Sequence, residues 1–430
     1  MTSLYQTYIE AIQDECFIHK LEQLHMVHGN VVRTGPNEIH FSDPSTYLEI
    51  YNMSSRWDKD PRLYHNTGEV DSSFGRLGYE AAKERRDVLQ RFFSKQAVIK
   101  SQGLIDSKAC IKASTTMSKL ISGLFFGKSI GAISSDNFEE PLLQALDGSQ
   151  RVFLLMKHFP VLTVILEKCP GWLSRLLAPA TNVLLDFQET ESQPQLPPHT
   201  TTILQHLLSP QSYPDGVVPT SAQIYEETQT QIFAGTDTTG ITLMYGTFCL
   251  LRSPKSYYKL KQELRTSWPD PSETPTFVVL EKMPYLNAVI KESLRIASVA
   301  TGTLPRVVPP SGAKIAGHFI PGGTVVGMSS HFVHHNEAAF EQADEFIPER
   351  WLQEGSTDLQ KFLVPFSRGP RSCPAQSLAW AVLRTSFAHV YRKFDLELDK
   401  SSPEKLQWKD RFVAVYHVPP ARAHFLPVAD

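Results

Sequence analysis

The ten residues from Phe366 to Ala375 constrain this chain most, because they surround one cysteine with the groups that a metal-bound thiolate needs. A sulfur that ligates iron must be ionised, so it needs a nearby positive charge, backbone N–H groups from a turn, and an apolar wall that limits water. Arg371 supplies the charge, Gly369 supplies the turn, and Phe366 supplies the aromatic wall. The segment therefore predicts that Cys373 is a thiolate ligand of a metal.

The spacing of this loop resembles the cysteine-ligand loop of the cytochrome P-450 family, which reads Phe-x-x-Gly-x-Arg-x-Cys-x-(Gly or Ala). Five residues fall in register with that pattern: Phe366, Gly369, Arg371, Cys373 and Ala375. A motif with five specified positions seldom arises by chance, and it gains weight when other elements agree with it. The resemblance implies haem b as the cofactor and Cys373 as its axial ligand. It also implies that Phe366, Gly369 and Arg371 lie in the haem site, with the arginine at a propionate.

A second element lies in the apolar segment 231–251, where Ala234 and Gly235 precede Asp237 and Thr238. Glycine and threonine weaken a helix, but a small pair lets a bulky ligand approach the backbone, and threonine hydroxyls can bond carbonyls one turn back. A kink or a helix end at this point is the alternative. The pattern resembles the cytochrome P-450 helix that crosses the distal face of the haem. The resemblance implies that Ala234 contacts the haem and that Asp237 and Thr238 deliver protons for dioxygen activation.

A third element pairs Glu292 with Arg295 on one face of an amphipathic helix, and Arg350 follows in a Pro-Glu-Arg-Trp segment. An acid and an arginine three residues apart are a weak signal alone, since most such pairs are solvated. Their order along the chain resembles that of the family, which implies a buried charge triad of Glu292, Arg295 and Arg350. We expect these three residues to be structural and not catalytic, because stranding one buried charge costs roughly 3–5 kcal/mol.

The resemblance also assigns two more arginines, Arg86 and Arg306, to the haem propionates. Related fungal sequences carry His or Trp one turn before the position of Arg86, whereas this chain has Ala82. The sequence thus loses a neutral donor and keeps a charged one, which predicts weaker haem retention. Pro374 follows the ligand and has no N–H, so it removes one donor that might bond the sulfur.

The resemblance covers nearly the whole chain and implies a mainly α fold with a small β region, the cytochrome P-450 fold. No linker, charge block or repeat divides the 430 residues, so we expect residues 1–430 to form one catalytic domain. The net charge of −3 arises from balanced acids and bases, without the basic stripe of a nucleic-acid binder. DNA and RNA are not expected partners.

Five cysteines, odd in number and without a CxxC pair, fit a reducing compartment. The N-terminus shows neither a secretory signal nor the transmembrane anchor of microsomal members, and Asp237 argues that segment 231–251 is a buried helix and not a membrane span. We therefore expect the protein on the cytosolic side, with peripheral association with the endoplasmic reticulum as an option.

The function that the resemblance implies is that of a haem-thiolate monooxygenase. It would hydroxylate or epoxidise a small apolar substrate, a terpenoid or polyketide intermediate of fungal secondary metabolism. Electrons would come from NADPH–cytochrome P-450 reductase, with cytochrome b5 as a second candidate donor. Two alternatives stay open: desaturation, ring closure or coupling without net oxygen insertion, and a non-catalytic haem-binding paralogue.

Substrate contacts are expected from five segments, several of them rich in Phe, Leu and Val, which favours an enclosed apolar pocket. The segments are 64–76, 152–177, 233–234, 299–303 and the loop after Tyr416.

Overall fold

The computed structural model describes residues 3–66, 68–108, 141–168, 202–416 and 421–428. Helices account for most of these residues. In chain order they are α1 Ser3–Thr7, α2 Phe17–His28, α3 Pro44–Ile50, α4 Pro61–Tyr64, α5 Tyr79–Phe92, α6 Lys95–Lys100, α7 Gln102–Lys108, α8 Pro141–His158, α9 Pro160–Lys168, α10 Ile203–Leu208, α11 Ser221–Leu251, α12 Pro254–Ser267, α13 Phe277–Glu281, α14 Pro284–Ala297, α15 His331–His334, α16 Ser356–Leu359 and α17 Gln376–Lys393. A π-helix, Tyr8–Ile12, follows α1, and short 3-10 turns span Pro210–Ser212, Pro348–Trp351 and Gly369–Arg371.

The longest helix, α11, has 31 residues and contains the Ala-Gly-Thr-Asp-Thr-Thr element. It begins with a capping box in which Thr220 and Gln223 satisfy each other's backbone N–H groups. Threonine hydroxyls along the helix bond carbonyls one turn back, as Thr236 does to Ile232 at 2.8 Å. The helix continues to Leu251, so it does not end at Asp237.

The main core lies where α11, α12, α14 and α17 pack together. Gly246 of α11 faces Ser293 of α14, and a Cβ on that glycine would lie 2.2 Å from the serine Oγ. Only glycine allows this close approach of the two helices. Phe387 of α17 lies beside this contact, and Leu286 and Leu383 belong to the same core. The tight packing gives α11 a fixed position from which it presents its polar element.

The β region consists of a five-stranded sheet and three two-stranded ribbons. The sheet has the order β1 Val31–Gly35, β2 Glu38–Phe41, β7 Val325–Gly327, β4 Arg306–Val307 and β3 Asp58–Lys59. The ribbons pair β5 Ala313–Ile315 with β6 His318–Ile320, β8 Phe394–Leu398 with β11 Ala423–Pro427, and β9 Trp408–Arg411 with β10 Val413–Tyr416.

Strand β2 pairs with β7 in parallel, which joins the first part of the chain to residues almost three hundred positions later. The mainly α architecture with a small β region is the fold class that the sequence predicts. No helix in the described ranges is both long enough and apolar enough to cross a bilayer.

Candidate functional site

The loop before α17 holds Cys373 in a fixed turn. The Cys373 N–H donates to the Phe366 carbonyl at 2.9 Å, and residues between them form the 3-10 turn. Gly369 has φ +71°, and a Cβ there would lie 2.6 Å from the Tyr51 and Asn52 carbonyl oxygens. A glycine is therefore required on both conformational and steric grounds.

Burial raises the pKa of the Cys373 thiol, whereas the Ala375 N–H and the positive charge of Arg86 favour the thiolate. A metal ion that bound the sulfur would replace its proton, and the cysteine would then be a thiolate despite its burial. The nearby donor comes from the residue after Pro374, so the proline leaves one backbone N–H directed at the sulfur.

Two arginines flank this loop. Arg86, on α5, approaches the Pro370 carbonyl and donates from Nη2 to Ser372 Oγ at 3.1 Å. Arg371 donates from Nη2 to the Leu77 carbonyl at 2.6 Å. In each guanidinium the Nε is buried and has no hydrogen-bond partner among the residues that the structure describes. A buried unsatisfied N–H of this kind costs about 1–3 kcal/mol, so both groups are built to meet an acceptor.

Two further cations lie beside them. Arg306 is buried and donates from Nη1 to Tyr64 Oη at 2.7 Å. Lys59 is also buried, its Nζ donates to the Phe74 carbonyl at 2.6 Å, and the same atom lies 4.6 Å from the Tyr64 ring centroid. Burial and the neighbouring charges of Arg371 and Arg306 hold the pKa of Lys59 well below its ordinary value. Burial and Arg306 likewise lower the pKa of Arg371, to about 10.

The polar element of α11 faces open space. Ala234 is exposed although it lies in the middle of a 31-residue helix. One turn further along, the Thr238 hydroxyl donates to the Ala234 carbonyl at 2.9 Å. Asp237 Oδ2 accepts from Gln150 Nε2 of α8 at 3.2 Å. The helix thus carries a small side chain at Ala234 and, one turn later, a carboxyl and a hydroxyl on adjacent residues.

A cavity of about 420 Å³ lies against this helix. Four of the five predicted segments contribute to its wall, through residues that include Phe74, Phe153, Phe233 and Thr303. Residues 67, 169–177 and 417–420 of the predicted segments lie outside the described ranges. The wall also contains residues that sequence reasoning missed. They are Leu4, Gln6, Thr7, Phe17, Ile18, Thr34, Gly35, Glu38, Asp60, Arg62, Leu63, Gln150, Thr230, Pro305 and Asp410 to Val413.

Comparison with known proteins decides the family. The sequence matches the cytochrome P-450 family over residues 38–423. This chain belongs to the cytochrome P-450 family. Among its curated relatives, the cytochrome P-450 monooxygenase macH of Penicillium terrestre is 32% identical over 93% of this chain and 84% of its own length. The monooxygenase flvC of Aspergillus flavus is 33% identical over 88% and 76%, and penB of Penicillium thymicola is 29% identical over 89% and 93%.

Family membership confirms the predictions of the family, of monooxygenase chemistry and of haem b bound through a cysteine thiolate. The residues of this chain fit that cofactor. None of Lys59, Arg86, Arg306 and Arg371 forms an ion pair with a carboxylate in the described part of the chain. The four side chains lie next to the Cys373 loop, and two of them, Arg86 and Arg371, each have a buried N–H without a hydrogen-bond partner in the described part of the chain. Such a group of cations and free donors fits the two carboxylates of haem b.

The structure brings Glu292, Arg295 and Arg350 together away from the cavity. Arg295 Nη2 lies 2.7 Å from Glu292 Oε1, and Arg350 Nε lies 3.1 Å from the same oxygen. Both Glu292 and Arg295 have fully buried side chains. None of the three lines the cavity.

Lys59 is the member of the cation cluster that sequence reasoning missed. It sits in the short segment Asp58-Lys59-Asp60-Pro61, where two carboxylates beside a lysine suggest an ordinary surface pair. In the folded chain Lys59 contacts Phe74 and Tyr64 and lies near Arg306 and Arg371. The charges next to it in the sequence do not indicate these neighbours. The pairing of β3 with β4 places Lys59 opposite Arg306 and so brings it into the cluster.

Proposed function

We propose that this cytochrome P-450 monooxygenase hydroxylates or epoxidises a small, mainly apolar terpenoid or polyketide intermediate of fungal secondary metabolism. The observation that carries the proposal is a cavity, mainly apolar and with five phenylalanines in its wall, that lies against Ala234 and Asp237 of α11. When bound, haem b with a thiolate ligand activates dioxygen, and the thiolate favours cleavage of the O–O bond. The residues of the chain supply binding, orientation and protons.

Cys373 is the residue proposed to ligate iron, in a loop held by Phe366 and Gly369. The Cys373 N–H bond to Phe366 and the left-handed Gly369 fix the direction of the sulfur. Arg371, on the same loop, would bind a propionate. A rigid loop holds the sulfur in the position for binding iron, so the loop does not have to rearrange when the metal binds.

Arg86, Arg306 and Arg371 are proposed to bind the propionates, with Lys59 as a fourth cation. Each guanidinium is already oriented by bonds to fixed carbonyl or hydroxyl groups, so little side-chain entropy remains to be lost on binding. Charge-assisted bonds to carboxylates would satisfy the free Nε atoms of Arg86 and Arg371.

Asp237 and Thr238 are proposed to hold and pass protons at the distal side. The Thr238 hydroxyl donates to the Ala234 carbonyl, which leaves its oxygen able to accept from water or from a bound group. Asp237 lines the cavity and is oriented by Gln150 Nε2. A carboxyl at the wall of the cavity and a hydroxyl on the next residue are groups that can exchange protons with a bound substrate or water.

Electron delivery is proposed to come from NADPH–cytochrome P-450 reductase, with cytochrome b5 as a second donor. Arg368 is exposed on the loop that carries Cys373, and so gives an acidic partner a contact on the proximal side. Arg371 is turned inwards to the Leu77 carbonyl and is less suited to docking. Peripheral association with the endoplasmic reticulum would place the protein near such a reductase.

We also propose that residues 1–430 form one catalytic domain. The five-stranded sheet supports this, because its strands come from residues 31–59 and 306–327. A domain whose sheet is shared by distant parts of the chain should unfold in one cooperative step.

The test begins with the carbon monoxide difference spectrum of the purified, dithionite-reduced protein. A strongly red-shifted Soret band is expected, and the Cys373→Ser variant should lack it. Turnover under isotope-labelled dioxygen should then place one labelled oxygen atom in the product. A band at the shorter wavelength of a protonated or displaced thiol would overturn the thiolate assignment. Oxidised product without label would favour desaturation, ring closure or coupling.

A further inference from the structure

One end of the cavity carries a carboxyl group that the proposed mechanism does not use. Asp410 lies at the end of β9, is 6% exposed and lines the cavity. Its Oδ1 accepts from Thr301 Oγ1 at 2.8 Å and from the Phe412 N–H at 2.8 Å. Among the residues that the structure describes, none bonds its Oδ2. One oxygen is thus fixed by the protein, and the other is available to the cavity.

The turn that carries Asp410 is strained. Phe412 alone connects β9 to β10, because Arg411 pairs directly with Val413. Its φ is +76°, a conformation that is rare for a bulky side chain and costs about 1–3 kcal/mol. The bond from the Phe412 N–H to Asp410 holds the turn, and the Gly302 N–H donates to the Phe412 carbonyl at 3.3 Å. Such strain persists where the surroundings enforce it, commonly at binding sites.

The charges around this end of the cavity select among ligands. Lys157 Nζ lies 2.9 Å from Glu10 Oε2, and His158 Nε2 lies 2.5 Å from the same carboxylate oxygen. Glu38 is held by Arg62 at 3.1 Å. The cations are thus already paired, and a ligand carboxylate would face Asp410 and Glu38 on the cavity wall. A ligand ammonium would have to lose its hydration water, and it would lie close to the positive charge of Lys157, which already interacts with Asp410. A neutral hydrogen-bond donor meets neither obstacle.

We propose that the substrate carries a hydroxyl group that donates a hydrogen bond to Asp410 Oδ2, while its apolar body extends towards Phe233 and Ala234. The inference rests on the proposed function and narrows its substrate class to apolar alcohols. Burial raises the pKa of Asp410, and the positive charge of Lys157 opposes that shift by favouring the carboxylate, the form that accepts from a hydroxyl. A buried acceptor left without a donor makes the site reject analogues that lack the hydroxyl.

The test is a spectral binding titration of the ferric holoprotein with three matched series. Each series shares one body and varies the head: farnesol, its methyl ether and farnesoic acid; dodecanol, its methyl ether and dodecanoic acid; 2-phenylethanol, its methyl ether and phenylacetic acid. In at least one series the alcohol should bind at least about tenfold more tightly than its ether, which corresponds to about 1.4 kcal/mol, and the acid should bind weakest. This comparison needs no variant.

The variant Asp410→Asn sharpens the test. Its Oδ1 can still accept from Thr301 and Phe412, whereas its Nδ2 can only donate. The variant should bind the alcohol and its ether about equally well. Its affinity for the ether should equal that of the wild-type protein. Glu38→Gln makes the same carboxyl-to-amide change at an arginine-paired position of the same wall, and it should keep the preference.

Failure of this inference can be told apart from failure of the proposed function. If no wild-type series prefers the alcohol, or if Asp410→Asn keeps the preference in full, the Asp410 assignment is wrong even when the red-shifted carbon monoxide band is present. If that band is missing, the thiolate assignment fails regardless of the binding series. An acid that binds more tightly than its alcohol would also overturn the proposal.

Discussion

Glu292 and Arg295 form a two-point ion pair in which both side chains have no exposed surface. Arg295 donates from Nη2 to Oε1 at 2.7 Å and from Nε to Oε2 at 3.0 Å. The same carboxylate also accepts from Arg350 Nε, from Trp351 Nε1 at 2.8 Å and from the Ile347 N–H at 2.9 Å. Glu292 therefore ties α14 to the Pro348–Trp351 turn, and every oxygen lone pair it offers is used.

Replacing Glu292 with Gln should destabilise the protein strongly. Two guanidiniums would be left buried without a counter-charge, which should lower the free energy of unfolding by roughly 3–5 kcal/mol. Urea unfolding followed by circular dichroism measures the change. Asp87→Asn is the control, because its pair with Lys83 is exposed and screened by solvent, so its loss should hardly change the free energy of unfolding. Equal effects of the two substitutions would contradict a structural role for the buried triad.

Lys59→Met should speed the loss of haem from the ferric protein. Methionine keeps the length of the side chain and removes the fourth cation of the proposed propionate site, so haem transfer to excess apomyoglobin should be about three- to tenfold faster. Lys95→Met, at an exposed pair with Glu281, should leave the transfer rate unchanged. An unchanged rate for Lys59→Met would remove this lysine from the proposed haem site.

Ala82→His tests the departure from related fungal sequences. Ala82 is buried on α5, one turn before Arg86, and offers no donor. A histidine there would add a neutral N–H beside the arginine, so haem transfer to apomyoglobin should slow by about tenfold, the effect of one good hydrogen bond. Ala81→His, at an exposed position of the same helix, is the matched control. If Ala82→His leaves the off-rate as it is, the lost donor does not limit haem retention.

His389 predicts how stability depends on pH. The side chain is 5% exposed, packs against Trp268, and has no hydrogen-bond partner in the described ranges for either ring nitrogen. Burial lowers its pKa from 6.5 to about 4, and the charge of Lys393 adds to the shift. Below pH 6.5 the unfolded chain takes up a proton that the folded chain refuses, so stability falls with pH until about pH 4.

His389→Leu should flatten that dependence. At pH 5.0 the histidine accounts for about 2 kcal/mol of lost stability relative to pH 7.5, a loss that the leucine variant should not show. The urea midpoint at each pH, multiplied by the measured dependence of the free energy of unfolding on urea concentration, gives the stability at that pH. The difference between the two pH values is then compared for the two proteins. Equal pH dependence in the two proteins would show that His389 is protonated or solvated when folded.

The sequence could predict the elements whose chemistry is local. The cysteine loop, the Asp237-Thr238 pair and the Glu292–Arg295 spacing each lie within one turn or one helix, so a short pattern is enough to identify them. The mainly helical fold followed from family resemblance, and family membership confirms it.

Sites assembled across the chain could not be predicted in the same way. Asp410 meets Thr301 over 109 positions, and the conformation of Phe412 depends on that contact and on Gly302. Lys59 meets Arg306 through strand pairing and not through spacing. Neither residue type suggests its role, because a lone Asp or Lys is most often solvated. Their burial, visible only in the folded chain, distinguishes them.

Thr238→Val should uncouple electron consumption from product formation. Valine has nearly the shape of threonine but lacks the hydroxyl that donates to Ala234, so proton delivery from Asp237 is interrupted. Product formed per NADPH consumed should fall roughly tenfold or more, with the electrons recovered as hydrogen peroxide, while the carbon monoxide band is unchanged. Thr242→Val removes the same kind of hydroxyl one turn along, where it bonds the Thr238 carbonyl at 3.0 Å and is buried, and coupling should be kept. Full coupling in Thr238→Val would mean that protons reach the site by another route.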